Sequence, residues 1–144
     1  MADDTICPFV KAKAGVTDDE YFEALSGEVF RVIIGIKPVI ARWRNIKRAF
    51  ENFSVEKVAK FNDVDVERLM LETGIIRNRK KIWATIQNAR EFLKIRRQYG
   101  SFWSYLESFG GAIDSLVADL DDRLHYVGAP SIRRFLNCVS QKAA

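Results

Sequence analysis

The sequence predicts an all-α protein with a single compact helical domain over residues 1–144. Three observations favour this fold class. Apolar residues recur at three- and four-residue spacing along most of the chain, helix-capping patterns precede several of these stretches, and no segment alternates apolar and polar residues with the period of a strand. A chain of 144 residues is also long enough to bury a core without disulfides or metal ions.

The first predicted helix begins after Thr17 and runs to about Gly35. Thr17 and Glu20 form a capping box, and acidic residues fill the first turn. The apolar positions from Tyr21 to Ile36 cover almost the whole circumference of this helix. A helix that is apolar nearly all round is typical of a protein core, so we expect it to be buried.

The later predicted helices are mostly shorter. Pro38 suits the first turn of the second helix, and Gly74 stands at the C-cap position of the helix over residues 64–73. After the first helix, the predicted helices cover about 38–53, 54–61, 64–73, 79–99, 102–109, 113–124 and 132–138.

The net charge of +4 is unevenly distributed. Residues 31–100 hold 17 basic and 7 acidic residues, whereas residues 1–30 and 101–144 are each net acidic. A central basic block indicates a polyanionic partner such as nucleic acid. The alternative is a solvated helix face with no such partner.

Composition excludes several other classes of protein. No apolar stretch approaches the roughly 18 residues of a membrane span, and the acidic start lacks the pattern of a signal peptide. Two cysteines, Cys7 and Cys138, do not make a disulfide framework, so we expect the protein in the cytoplasm. We also expect a monomer with no membrane partner. With one histidine and few glycines, we expect no cofactor.

A predicted helix-hairpin-helix motif over residues 64–98 carries the strongest functional signal. Its tight turn at Gly74 exposes backbone amides, and the second helix presents its positive N-terminal end to the same place. Cations beside a helix N-terminus favour an external anion, such as a DNA phosphate. The alternative is an ordinary helical hairpin with solvated charges. The candidate phosphate contacts are Gly74, Ile76, Arg77, Arg79, Lys80 and Lys81.

These residues also carry a resemblance to a known family. The stretch GIIRNRKKI at 74–82, with Asn88-Ala89-Arg90 after it and Cys7-Pro8-Phe9 near the start, resembles the family-I DNA-3-methyladenine glycosylases. That family belongs to the helix-hairpin-helix glycosylases. The similarity is best between Ile46 and Leu106, and it resumes weakly at 126–128.

The resemblance implies a base-excision repair enzyme that acts on double-stranded DNA containing damaged bases. Such an enzyme flips an alkylated purine, such as 3-methyladenine, out of the stack and hydrolyses its N-glycosidic bond. The methylated base is cationic and leaves readily, so the protein mainly selects the base and stabilises positive charge on the sugar. The resemblance leaves two alternatives open: a DNA-binding protein without catalysis, and a helical protein-interaction module.

Glu28 is the candidate catalytic residue. It aligns with the base-contacting glutamate of the family, and it lies on the helix that we expect to be buried. The equally weighted alternatives are a structural ion pair with Arg31 at i+3 and an exposed helix edge. The candidate base-pocket residues, which helical spacing also allows as core residues, are Phe9, Tyr21, Ile36 and Trp43.

The sequence departs from the family pattern at the pocket and at the zinc site. Ile36 stands where the family has a tryptophan, and the family's Tyr-His-Asp segment has no counterpart. Of the four zinc ligands implied by the resemblance, only Cys7 is matched, since the printed sequence stops before the last His and Cys. A tetrahedral site needs four ligands, so we expect no metal, with Cys7 and Cys138 as core residues and His125 at the surface.

Overall fold

A computed structural model of the protein describes residues 8–10 and 15–143, with side chains to residue 140. These residues form eight α-helices and no strand, which confirms the all-α fold class. No helix in the described part is long and apolar enough to cross a membrane. The helices are α1 Asp18–Arg31, α2 Ile36–Ala49, α3 Val55–Ala59, α4 Asp63–Met70, α5 Arg79–Tyr99, α6 Phe102–Glu107, α7 Ile113–Arg123 and α8 Ala129–Ala143.

Helix α1 is the core helix that the sequence predicts. Its N-cap, Thr17, forms the expected capping box with Glu20. Every residue from 21 to 30 is buried, including the two glutamates of this stretch. The core therefore surrounds α1, as its apolar circumference indicates.

The end of α1 differs from the prediction. The helix stops at Arg31, four residues before Gly35, and the apolar residues beyond it lie in a loop. Ile33 has a φ of 74° and is 93% exposed. A β-branched residue with positive φ is conformationally strained, so packing of the surrounding chain must hold this loop in place.

The ends of two other helices also differ from the predicted bounds. Helix α2 begins at Ile36, two residues before Pro38, and a left-handed turn at 51–53 separates it from α3. Helix α8 extends from Ala129 to Ala143, well beyond the predicted 132–138. Helix ends depend on capping and on tertiary contacts, which periodicity does not report.

Helices α1 and α5 run antiparallel, and this arrangement positions the functional surfaces. At one end, the Lys81 ammonium of α5 contacts the last carbonyl groups of α1. At the other end, the Arg96 guanidinium lies 3.0 Å from the Asp18 carboxylate. The turn between α4 and α5 therefore lies beside the C-terminus of α1, and α6 lies beside its N-terminus.

Candidate functional site

The turn between α4 and α5 presents unpaired backbone amides. No described residue accepts a hydrogen bond from the amides of residues 74–77. Helix α5 then begins with Asn78 as its N-cap, whose side-chain oxygen accepts from the Lys81 amide at 3.1 Å. We call the amides of 74–77 and the side chains of Arg77, Arg79 and Lys80 the hairpin surface.

Gly74 allows a close approach between this turn and α2. A Cβ at Gly74 would lie 2.8 Å from Nδ2 of Asn45, which donates to the Gly74 carbonyl oxygen at 3.3 Å. The φ of Gly74 is not positive, and the C-cap of α4 is Leu71. The expected C-cap role is therefore corrected: glycine is needed here because Asn45 leaves no room for a side chain.

The three cations of the hairpin surface are exposed. Arg79 pairs with the exposed Glu67 of α4, and this guanidinium lowers the pKa of the Glu67 carboxyl below its ordinary value. Such a surface pair contributes little to stability and exchanges easily for another anion. Within the described residues, Arg77 and Lys80 have no hydrogen-bond or ion-pair partner, so both are available to a phosphate.

The predicted phosphate contact by Lys81 is wrong, because this side chain is buried against α1. Its side chain is 2% exposed, and its ammonium donates to the carbonyl oxygens of Phe30 and Val32, each at 2.7 Å. These carbonyls end α1, where the helix dipole is negative and attracts a cation. Burial lowers the pKa of Lys81. The residue therefore caps α1 and does not belong to the hairpin surface.

The same contact places the α1–α2 loop next to the hairpin surface. Ile33 and Ile34, which follow the Val32 carbonyl, are exposed, and the half-exposed ring of Tyr126 lies 5.9 Å from the Lys81 ammonium. We call Ile33, Ile34 and Tyr126 the loop surface. Exposed apolar residues beside unpaired cations are suited to a partner with both phosphates and apolar base faces.

Asn88 holds the segment of His125 and Tyr126 against α5. Its side-chain oxygen accepts from the backbone amide of His125 at 2.7 Å, and its amide nitrogen donates to the His125 carbonyl oxygen at 3.2 Å. The segment that carries Tyr126 is thereby bound to α5. The nearby Arg90 donates to the carbonyl oxygens of Ala59 and Phe61 at the end of α3. Both polar residues of the Asn88-Ala89-Arg90 motif therefore form hydrogen bonds that join α5 to other segments of the protein.

Glu28 is buried and ion-paired. It is 2% exposed, with Nε of Arg134 at 2.7 Å from one carboxylate oxygen and Nη1 of Arg31 at 3.7 Å from the other. Burial raises the pKa of Glu28, and the two guanidinium groups oppose that rise. The predicted pair with Arg31 is present, the exposed helix edge is excluded, and Arg134 of α8 is a partner that helical spacing does not reveal.

A cluster of Phe9, Trp43 and Glu23 lies next to Glu28 on α1. The Phe9 ring covers Gly27, where an added Cβ would lie 2.3 Å from the ring, and its centroid is 4.5 Å from that of Trp43. The Trp43 indole donates to the buried Glu23 carboxylate at 3.1 Å. Two of the four predicted pocket residues, Phe9 and Trp43, therefore meet beside Gly27. Glu23 belongs to this cluster and was not predicted.

The other two pocket candidates lie elsewhere. Tyr21 is seven residues before Glu28, about 10 Å along α1, and its ring packs 4.9 Å from that of Phe102. Its predicted pocket role is therefore corrected. Ile36 begins α2 and packs, half-buried, against the core. A cavity of 680 Å³ does occur in the structure, but Tyr21 lines it and Glu28 does not.

The residues at hand do not fit a four-ligand zinc site. Among the described residues, no group of three His, Cys, Asp or Glu side chains could hold a metal ion. His125 is exposed and Cys138 lies in the buried core, both as predicted; Cys138 is also disulfide-bonded. Cys7 lies outside the described residues.

Comparison with known proteins agrees with this architecture. The model of the methyladenine glycosylase family matches residues 12–123. DNA-3-methyladenine glycosylase 1 of Escherichia coli is 39% identical over 71 residues, which are 49% of this chain and 38% of that protein. DNA-3-methyladenine glycosylase of Haemophilus influenzae is 30% identical over 71 residues, again 38% of its length. The matched region thus spans 38% of these curated relatives.

Solved structures extend the similarity to most of the fold. 3-methyladenine DNA glycosylase I from Staphylococcus aureus superposes with a TM-score of 0.80 at 25% identity, covering 92% of this chain and 81% of that one. A solution structure of 3-methyladenine DNA glycosylase I superposes with a TM-score of 0.76 at 26% identity, covering 88% and 79%. Since the family model also matches well over half of the sequence, this chain belongs to the methyladenine glycosylase family.

Proposed function

We propose that this protein is a DNA glycosylase that releases an alkylated purine, such as 3-methyladenine, from duplex DNA. One observation carries the proposal: the hairpin surface and the loop surface adjoin each other at the end of α1, four residues beyond the buried Glu28. Four helical residues correspond to about 6 Å. A carboxylate thus lies just behind a surface suited to DNA. We further propose that the protein acts as a monomer inside the cell, where its substrate lies.

The hairpin surface supplies the contacts to the DNA backbone. The amides of 74–77 and the side chains of Arg77 and Lys80 bind phosphate oxygens, because none of them has a partner within the described part of the protein. Arg79 joins them by exchanging Glu67 for a phosphate. These contacts carry no sequence information, so they place the protein along any duplex.

The loop surface supplies the apolar contact that base flipping requires. Ile33 and Ile34 are exposed and are held next to the hairpin surface by the Lys81–Val32 contact. Apolar side chains inserted between base pairs unstack them, and an alkylated base is extruded at lower cost than a normal one. The two isoleucines therefore fill the space that the flipped base leaves.

Glu28 supplies negative charge at the reaction centre. The N-glycosidic bond breaks with its electron pair moving to the cationic base, which leaves neutral, while positive charge develops on the sugar until water adds. An ionised carboxylate stabilises that charge and favours the cationic base over a normal one. Burial opposes ionisation of Glu28, and Arg134 and Arg31 favour it. Arg134 is 44% exposed, so it can share the carboxylate with an entering base.

The proposal is tested by base release from DNA treated with a methylating agent, followed by chromatography of the freed bases. We expect 3-methyladenine to be released by the wild-type protein and the rate to fall at least tenfold in Glu28→Gln, with unchanged affinity for duplex DNA. Glu56→Gln changes an exposed carboxylate of α3 and serves as the matched control. Wild-type protein that binds DNA but releases no alkylated base would contradict the proposal.

A second candidate function is DNA binding without base release. The 2.7 Å contact between Arg134 and Glu28 favours it, because that carboxylate is already neutralised, and so does the Phe9 ring that occupies the surface of Gly27. This function requires the same salt-dependent binding to duplex DNA and no release of base by any variant. Release that appears only in Arg134→Ala would show that this ion pair blocks an otherwise competent site.

A further inference from the structure

A cavity of 680 Å³ lies among α1, α6, α7 and α8. Its volume is in the range of small-molecule sites. Since α1 and α5 run antiparallel, the cavity lies beside the N-terminal turn of α1, away from the hairpin surface at the other end. Apolar side chains make most of its lining. They include Tyr21, Trp103, Leu106, Phe109, Leu116 and Leu136.

One buried polar group faces this cavity without a partner. Tyr21 is 1% exposed, and no described residue forms a hydrogen bond with its hydroxyl. Every side-chain polar atom that is fully enclosed within the described residues has a hydrogen-bond partner, so an atom without one must be reached by solvent. The hydroxyl of Tyr21 therefore keeps its small exposure within the cavity. Solvent in the cavity accepts a hydrogen bond from this hydroxyl, so a ligand that enters must replace that solvent with an acceptor of its own or leave the hydroxyl unpaired.

The charges around the cavity disfavour an anion at this hydroxyl. Burial, helped by the carboxylates of Asp18 and Glu107, raises the pKa of Tyr21 to about 12, so the group remains a neutral donor. Arg133 is the cation at the rim, and it is paired with Asp114 at 2.7 Å. In the described lining, Arg133 is thus already ion-paired, and the carboxylates of Asp18 and Glu107 repel an anion at the Tyr21 hydroxyl.

We propose that this cavity binds a small, uncharged and largely apolar organic molecule, whose hydrogen-bond acceptor takes the proton of the Tyr21 hydroxyl. The apolar body of the ligand lies against Leu106, Leu116 and Leu136, and its removal from water supplies most of the affinity. Specificity comes from the buried donor at Tyr21. The site is distinct from the DNA-binding surfaces and does not depend on the proposed glycosylase activity.

The probe for this site is Nile red, an uncharged apolar dye with a carbonyl acceptor, whose fluorescence rises in apolar surroundings. We expect saturable binding at one dye per protein, because one cavity of this size holds one such molecule. Tyr21→Phe removes only the hydroxyl and should raise the dissociation constant about two- to tenfold. Leu136→Trp fills the cavity and should abolish the saturable signal.

Controls separate the cavity from other apolar surfaces. Ile40→Ser and Val64→Ser remove exposed apolar side chains that do not line the cavity, and both should bind the dye as the wild type does. The anionic dye 8-anilinonaphthalene-1-sulfonate should bind more weakly than Nile red. Thermal unfolding shows whether each variant is folded.

Three results would overturn the proposal. These are the absence of saturable Nile red binding, equal binding by wild type and Tyr21→Phe, and tighter binding of the anionic dye. Should Leu136→Trp fail to fold, Tyr21→Phe still decides, because it preserves the ring that packs against Phe102.

Discussion

The ammonium of Lys81 lies 2.7 Å from the carbonyl oxygen of Val32, and this contact joins the start of α5 to the end of α1. A second bond of equal length reaches the carbonyl oxygen of Phe30. The lysine therefore satisfies helix-end carbonyls that have no intrahelical partner. In doing so it brings the loop that carries the exposed Ile33 to the start of α5, which no sequence spacing indicates.

The first prediction concerns this contact. Lys81→Met should lower the free energy of unfolding by about 2–4 kcal/mol, because it leaves two carbonyl groups without their charged donor. Urea denaturation of the two proteins measures the difference. The neighbouring Lys80→Met is the matched control and should change stability by less than about 0.5 kcal/mol, since Lys80 is exposed. Equal effects of the two substitutions would contradict the structural role of Lys81.

The second prediction concerns the cations of the hairpin surface. Arg77→Ala and Lys80→Ala should each weaken binding to any duplex and reduce the slope of log affinity against log salt by about 1, because each removes one phosphate contact. Fluorescence anisotropy with labelled duplex across a salt series measures this slope. Lys94→Ala is the control, because Lys94 lies on the same helix, 14 residues and about 21 Å from Lys80. This variant should leave the salt slope unchanged. A salt slope that neither Arg77→Ala nor Lys80→Ala alters would exclude the hairpin surface as the phosphate site.

The third prediction concerns the contact between Gly74 and Asn45. Gly74→Ala should destabilise the protein by about 1–2 kcal/mol, because its Cβ displaces the Asn45 amide and breaks the bond to the Gly74 carbonyl. Asn45→Ala makes room for that Cβ, so Gly74→Ala in this background should cost less. A double-mutant cycle measured by denaturation gives the coupling. Strictly additive effects would show that close packing does not explain the glycine.

The fourth prediction compares two neighbouring arginines of α8. Arg134→Ala should lower the free energy of unfolding at neutral pH by about 1–3 kcal/mol, because Glu28 then keeps only the longer contact to Arg31 inside the protein. Arg133 pairs with the exposed Asp114, so Arg133→Ala should have little effect. If Arg134→Ala were no more destabilising than Arg133→Ala, Glu28 would not depend on this pair.

The fifth prediction concerns pH. Burial raises the pKa of Glu28 above its ordinary value of 4.5, so the folded protein holds this proton more tightly than the unfolded chain does. The stability of the wild type relative to Glu28→Gln should therefore be greatest below pH 4.5 and fall as the pH rises through the raised pKa. Urea denaturation of both proteins between about pH 4 and about pH 8 measures this difference. The range begins below the ordinary pKa of a glutamate and extends above it. A difference that is constant or rises with pH would contradict it.

Much of the architecture follows from local sequence. The apolar circumference of residues 21–30 predicts a buried α1, and the cap at Thr17 begins this helix where expected. These features depend on residues within one or two turns of each other, so periodicity and capping chemistry report them directly. The basic turn at 74–80 is likewise evident from the sequence.

The candidate site is different, because its contacts join distant parts of the chain. Glu28 and Arg134 are 106 residues apart, and Lys81 and Phe30 are 51 apart. A run of basic residues gives no sign that Lys81 points inward while Lys80 points to solvent. Tyr21 was expected near the base pocket, and the direction of α1 places it at the opposite end.

By itself, the sequence determined the all-helical class, the buried first helix and the basic hairpin, because each depends on interactions between near neighbours. Only the tertiary structure decided which charges remain available. Lys81 and Glu28 lie at helix positions where burial leaves an ion unpaired unless a distant group reaches it. The carbonyls of α1 and the arginine of α8 reach those positions only when the helices pack. That packing leaves Arg77 and Lys80 as the unpaired cations of the hairpin surface.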